Sequence, residues 1–288
     1  MSRIGILGAT GFVGGRLADM AAAAGHEVVK FSRSAGPGFR SSAGVPDLTD
    51  LDAVVNLAGE SVLGLWTAEK KRRIRESRTD GTRRIVSALK KPGAPRVFIS
   101  ASAVGYYGNT GDTLVDESSG PGSGFLAETC VDWEREVAAA GALGVRTVTI
   151  RIGFVLGNGG AMRLIRPVFQ AGLGGNLGNG RQWMSCVHVD DVAGLILWAW
   201  NQADLSGAVN AVMPEPVRNA DFTRAVAIAV NRPAVLPAPA FAIRLALGNL
   251  SSLLLDSSRV APRVAIERGY PFRYPDLPGA LQSLGKPK

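Results

Sequence analysis

The first fifteen residues constrain this chain more than any other stretch. Arg3-Ile4-Gly5-Ile6-Leu7 is an apolar run too short for a helix, and Gly8-Ala9-Thr10-Gly11-Phe12-Val13-Gly14 follows it directly. The next segment, Arg16 to Ala21, is rich in helix formers. A strand that runs through glycines into a helix is the opening of a dinucleotide-binding unit, because bare backbone lets a pyrophosphate reach the N–H groups at the helix start. Gly25 then stops the helix, and His26 to Phe31 supplies a second strand. Gly8, Thr10, Gly11, Phe12, Val13 and Gly14 are therefore candidate cofactor-binding residues.

Strands and helices keep alternating downstream. Ala53-Val54-Val55-Asn56-Leu57 and Arg96-Val97-Phe98-Ile99-Ser100 are continuously apolar, as parallel strands buried on both faces must be. A helix opened by Thr67, another from Phe125 to Ala140, and a strand from Val145 to Ile152 continue the pattern. Ser34 to Pro46 and residues 101–124 read as loops, dense in Gly and Ser. The alternation predicts an α/β fold, a doubly wound parallel sheet of Rossmann type. Beyond Gly153 the alternation loosens into glycine-rich loops and short helices. The division expected is a nucleotide-binding core over residues 1–155, with 156–288 holding remaining core elements interleaved with a small C-terminal α/β lobe.

The residue closing the second strand, ~20 positions past the glycines, reads the adenosine ribose. An acid there suits a free 2′-hydroxyl, and a basic residue suits a 2′-phosphate. This chain has Ser32-Arg33-Ser34 and no acid, which favours NADP, the alternative being a merely surface arginine.

Composition excludes several other classes. The 288 residues contain two histidines and two cysteines, Cys130 and Cys186, too few for a zinc cluster or a disulfide framework. No uncharged apolar run approaches the ~20 residues of a membrane span, and no leader segment is visible, so a reducing, cytoplasmic setting is expected. The net charge is +8, much of it between Lys70 and Lys91, where ten Lys or Arg stand against Glu76 and Asp80. Such a run is most often a solvated helix face, with a phosphate or nucleic-acid role as the alternative. The absence of interleaved aromatics, and a glycine loop that a nucleic-acid module would not need, argue against nucleic acid. A small-molecule substrate is the expected partner, and a homodimer stays open.

These residues resemble the extended short-chain dehydrogenase/reductase superfamily, also called the NAD-dependent epimerase/dehydratase family. The glycine spacing is its GxxGxxG, Asn56-Leu57-Ala58-Gly59 is similar to its strand-end motif beside the adenosine and pyrophosphate, and Ser100-Ala101-Ser102 resembles its active-site serine segment. Further pieces match a subgroup of NADP-dependent epimerases or oxidoreductases with an extra C-terminal domain of unknown function. They include Glu60-Ser61, Ser77-Arg78 with Gly81-Thr82, Val104 to Gly108, Trp133-Glu134, Arg151-Ile152-Gly153, Val187 to Asp191 and Pro216 to Asn219. The resemblance implies an NADP(H)-dependent oxidoreductase or epimerase acting on a small carbonyl or hydroxyl compound, with Ser100 and Arg151 joining the cofactor set.

The superfamily's catalytic signature is a tyrosine with a lysine four residues on, and none of the four tyrosines here has one. Aligning the helix by Glu134 puts Leu126 and Cys130 in those places. Ser102, Tyr106 and Cys130 become the catalytic candidates, with Tyr106 as proton donor. Packing beside Gly105 and Gly108 is the alternative for Tyr106, and a buried structural thiol the alternative for Cys130. Asp116 or Glu117 could serve as acid or base. By place in the family pattern, Glu60, Tyr107, Trp183, His188 and Asp190 are substrate candidates, along with Met184 and Arg218. A structural histidine, a helix cap at Asp190 and a buried ion pair at Arg151 are the competing roles. A protein that binds NADP(H) without turnover, as a sensor or scaffold, is the second functional expectation.

Overall fold

The computed structural model describes residues 1–34 and 36–284. Its centre is a seven-stranded, wholly parallel sheet. The strands are β1 (Arg3–Leu7), β2 (Glu27–Ser32), β3 (Phe39–Ser41), β4 (Ala53–Asn56), β5 (Val97–Ala103), β6 (Arg146–Ile152) and β7 (Gly207–Ala211). In space the order is 7-6-5-4-1-2-3. The chain winds outward from β1 to β3, crosses back to β4, and winds the other way, so a crevice opens between β1 and β4 at their carboxyl ends.

Successive side chains along each strand face opposite layers. Ile4, Ile6, Ile99, Val148 and Ile150 pack under α1 (Phe12–Ala23) and α5 (Val189–Asn201), whose buried stripes include Leu17, Ala18 and Ala21 and, on the second helix, Val192, Leu195 and Ile196. Leu7, Val54 and Phe98 pack on the other face against α2 (Ala68–Leu89) and α3 (Phe125–Ala138), through Ile85, Leu89, Trp133 and Val137. Each fully buried Leu, Ile or Phe in these layers contributes roughly 1.5–3 kcal/mol over leaving it in water. Thr67 caps α2, accepting from Lys70 N–H at 3.1 Å.

A third core holds the lobe, where Leu156, Met162, Phe169, Phe222, Val226, Leu277 and Leu281 pack together. It is built from α4 (Met162–Gln170), α6 (Asn219–Val230) and the C-terminal helix Leu277–Gln282. Three two-stranded ladders fasten it: Phe154–Leu156 with Cys186–His188, Trp183–Met184 with Val217–Arg218, and Leu114–Val115 with Arg259–Val260. Among the described residues no helix is long and apolar enough to cross a membrane.

Two segments differ from the sequence expectation. Phe39–Ser41, inside a stretch read as loop, forms the edge strand β3 on β2. Leu114–Val115, within the 101–124 loop, pairs with a strand more than a hundred residues away. Both are too short to carry a periodic signal of their own.

Candidate dinucleotide crevice

The three glycines do different work. Gly8 has φ +83°, and a Cβ on it would lie 2.7 Å from the Leu57 carbonyl group, so only glycine lets the β4 turn close over β1. A Cβ on Gly14 would come within 2.2 Å of the Gly8 carbonyl oxygen, which fixes how tightly α1 packs on its own strand. Gly11 is the N-cap of α1 and offers no side chain to its donors. The first N–H groups of the helix, at Phe12, Val13 and Gly14, therefore have no intrahelical acceptor and no capping side chain, beside exposed Thr10 and Gly11. The Phe12 ring lies against the backbone of the lobe, where a Cβ on Gly157 or Gly159 would stand 2.3 Å from it. Its side chain thus ties the lobe to the glycine loop.

The neighbouring strand ends converge on this loop. Leu7 is in register with both Phe31 and Asn56. Leu57 N–H donates to the Leu7 carbonyl at 2.9 Å, and Asn56 Oδ1 accepts from Ala58 N–H at 3.2 Å, holding Asn56-Leu57-Ala58-Gly59 as a turn beside Gly8. Ser100, in register with Asn56, is buried and donates to the Ala101 carbonyl at 3.1 Å. Arg33 and Ser34 are exposed at the end of β2, and Ser32 is half-buried. Glu60, a substrate candidate, instead accepts from Lys70 at 2.7 Å. That bond, with the charges of Arg73 and Arg33 nearby, holds its carboxyl below the usual range. Glu60 thus lies among the charges of Lys70, Arg73 and Arg33.

At the other end the polar residues face one another. Ser102, Arg151 and Asn210 occupy one register row across β5, β6 and β7. Glu134, from α3, closes the row: it accepts from Ser102 Oγ at 2.7 Å and from Arg151 at 2.9 and 2.8 Å. Arg151 Nη1 donates to Tyr107 Oη at 2.8 Å, and that hydroxyl donates to Asn210 Oδ1 at 2.9 Å. Asn210 passes the chain on to the Ala261 carbonyl at 2.9 Å. Ser102, Tyr107, Arg151 and Asn210 are all buried. Burial pushes the Tyr107 phenol up to about 12, and burial with the nearby Glu134 charge pushes the Cys130 thiol up to about 11. Cys130 is a neutral thiol at physiological pH, and Arg151 is the partner of a buried acid. The ring of Tyr106 lies on the Arg151 guanidinium, 3.5 Å from it, half-buried and edge-on to Tyr107.

His188 and Asp190 sit behind the glycine loop in structural positions. His188 Nδ1 accepts from Asp190 N–H at 3.1 Å as the N-cap of α5, while Nε2 meets Ser283 Oγ at 3.1 Å. Asp190 takes a bidentate pair from Arg16 of α1 at 2.6 and 3.0 Å, and Arg273 at 3.1 Å. Asp191 holds the tail, accepting from Arg273 and Tyr274 N–H at 2.8 and 2.9 Å. Trp183 lies at the lobe's edge with Arg218 and Arg259 stacked at 3.8 and 4.7 Å, its indole N–H donating to Asp112 at 2.8 Å. Met184 packs toward the lobe core. Asp116 pairs with Arg263 at 3.1 Å, and Glu117 accepts from Asn210 N–H at 2.9 Å, its carboxyl raised by burial.

The basic run is a knitted helix face. Arg75 pairs with Asp132, Arg83 with Asp80 at 2.8 Å and Glu136 at 2.7 Å, and Arg72 with Glu69 at 2.7 Å. Much of its charge is neutralised by α3 and by α2 itself. Glu134, Asn210, Arg16 and Asp191 were not singled out from the sequence for these roles. The pairing of Arg16 with Asp190 spans 174 residues, which no local pattern reveals.

Comparison with known proteins agrees with this architecture. Residues 4–211 match the NAD dependent epimerase/dehydratase family, and residues 238–284 match a domain of unknown function, DUF1731. The epimerase family protein Mb2239 of Mycobacterium bovis is 39% identical, over 96% of both chains. The crystal structure of human epimerase family protein SDR39U1 (isoform 2) with NADPH superposes with a TM-score of 0.92 at 33% identity, covering 98% of each chain. A nucleoside-diphosphate sugar epimerase from Corynebacterium glutamicum gives a TM-score of 0.80 at 33% identity, covering 98% of this chain and 57% of that one. With the glycine crevice, the doubly wound sheet and these matches in place, the chain belongs to the NAD-dependent epimerase/dehydratase family.

Proposed function

We propose that this chain binds NADP(H) and is an oxidoreductase or epimerase acting on a small carbonyl or hydroxyl compound. The observation that carries the reading is the glycine cradle: a helix start with no capping side chain, and glycines at two points where a Cβ would meet backbone within 2.2–2.7 Å. The residues present fit a dinucleotide. Gly8, Gly11 and Gly14 with the Phe12 and Val13 N–H groups would hold the pyrophosphate, Asn56 to Gly59 would flank it, and Ser32, Arg33 and Ser34 would take the 2′-phosphate. The human relative crystallised with NADPH supports that choice. When bound, the nicotinamide would supply the hydride chemistry.

This chain must then supply a proton without a Tyr–Lys pair. Ser102 already donates to Glu134, and the Cys130 thiol is held protonated by burial. Tyr106 is the proton donor best placed, because its hydroxyl has no hydrogen-bond partner among the described residues and its ring rests on a fixed cation, Arg151. The engagement of Ser102 and Arg151 with Glu134, and of Arg151 with Tyr107, supports the second reading, a sensor or scaffold that binds NADP(H) without turnover. Two buried free thiols suit a reducing, cytoplasmic setting, which fractionation checks.

Calorimetric titration with NADPH and NADH, with nicotinamide absorbance followed against a panel of carbonyl compounds, separates these. Tight NADPH binding with consumption is the expected result, and binding without consumption of any compound moves the reading to a sensor. Arg33→Ala should weaken NADPH by about ten- to a hundredfold, as loss of a charged hydrogen bond does, while leaving NADH nearly unchanged. Equal loss for both nucleotides removes Arg33 from the phosphate site. Tyr106→Phe should lower turnover with unchanged NADPH affinity; undiminished turnover removes Tyr106 from the mechanism.

A further inference from the structure

The inner stripe of α2 runs Ile74, Thr82, Ile85 and Leu89, and Arg78 falls on it, one turn from Ile74 and one from Thr82. A cation on an apolar stripe needs an explanation. Arg75 and Arg83, on the outer face, each have a carboxylate partner. The partners of Arg78 among the described residues are neutral: Nη1 donates to the Ile74 carbonyl at 2.9 Å and the Glu60 carbonyl at 3.2 Å, and the guanidinium lies 5.2 Å from the Trp133 ring centre. The nearby Glu60 carboxylate is already held by Lys70. Burial works against the charge of Arg78, which is half-buried, and its Nε and Nη2 donors carry no protein partner among the described residues and are not sealed from solvent.

Its position says what would satisfy it. The guanidinium stands 3.3–3.5 Å from where Gly59 would carry a Cβ, on the turn whose Leu57 and Ala58 close over Gly8. On its other side the charge is near enough to Cys130 to oppose the burial of that thiol. Arg78 thus lies between the glycine loop and α3, whereas Arg33 lies at the end of β2. Cys130 stands where the Tyr–Lys pattern would put its lysine.

We propose that Arg78 is a cofactor-binding residue that brings from α2 the positive charge missing at position 130, its Nε and Nη2 donating to the nicotinamide-side ribose or to the phosphate that carries it. This rests on the NADP(H) reading above. The guanidinium stays close to this turn: a Cβ on Gly59 would be 3.3–3.5 Å from it.

The test compares two probes, NADPH and 2′,5′-ADP, which lacks the nicotinamide-side ribose and its phosphate. Arg78→Met should weaken NADPH and NADH alike, by about ten- to a hundredfold, and leave 2′,5′-ADP unchanged. Arg33→Ala should give a different pattern, weakening 2′,5′-ADP and NADPH together and sparing NADH. Unchanged NADPH affinity in Arg78→Met overturns the proposal, and so does an equal loss of NADPH and 2′,5′-ADP, which is what a structural role would give. If Arg78→Met fails to fold, Arg78→Lys, which keeps the charge but not the planar fork, is measured with the same pair. A smaller loss confined to NADPH and NADH supports the assignment, and no loss or a loss shared with 2′,5′-ADP overturns it. A wild-type chain that binds neither probe sinks the NADP(H) reading itself, and this proposal with it.

Discussion

At the β1–β2 end of the crevice the donors point outward. The start of α1 has no capping side chain, and Arg33 is exposed with no ion-pair partner among the described residues. At the β5–β7 end the donors point at one another, with Ser102, Arg151, Tyr107 and Asn210 joined in one buried chain under Glu134. The first end is shaped by what is missing, side chains at Gly8, Gly11 and Gly14. The second is shaped by groups that are all present and already satisfied. An end of the first kind is ready for an anion. An end of the second kind is a rigid wall, and a proton drawn from it would cost an ion pair. Proton transfer in this crevice is therefore expected from Tyr106, at the edge of the wall, and not from Ser102 within it.

The wall gives the largest expected effect. Glu134→Ala would leave the Arg151 guanidinium buried without its counter-ion and should cost about 3–5 kcal/mol of stability in urea unfolding. A loss below about 1 kcal/mol would mean that the row is solvated in solution, and the contrast between the two ends would fail. Next comes the open end. Gly14→Ala forces a Cβ against the Gly8 carbonyl, an overpacking expected to cost about 1–3 kcal/mol and to reduce NADPH affinity with it. Unchanged affinity in a folded variant would show that the spacing of α1 from β1 is not what admits the dinucleotide.

The smallest effect concerns the region behind the loop. Burial lowers the His188 pKa below its ordinary value near 6.5, so the unfolded chain takes up a proton that the folded chain refuses. Its contribution is complete above that value and is lost as pH falls through the folded pKa. The thermal midpoint of the wild type should thus decline on acidification from neutral pH more steeply than that of His188→Asn, which keeps a capping side chain for α5. Parallel profiles would show that the ring is reached by water.

How much of this was legible depends on distance along the chain. β1, α1 and β2 follow from glycine spacing within thirty residues, and the Thr67 cap from its contact three residues on. Two strands of the sheet were not legible: Phe39–Ser41 spans three residues, and Gly207–Ala211 holds only Gly, Ala, Val and Asn. Each is a strand because an existing strand offers it a ladder. In the crevice, the alternatives left open at Asp190 and Arg151 were local readings. The structure answers them with partners at positions 16, 273 and 134.

By itself the sequence determined the doubly wound opening, the absence of a Tyr–Lys pair and the basic residue at the end of the second strand, since each is a matter of residue type at short spacing. Only the tertiary structure decided which polar groups remain free. Whether a serine, an arginine or a histidine has a donor left to offer depends on which partner the packing of distant segments brings within about 3 Å. Periodicity along the chain carries no record of that distance.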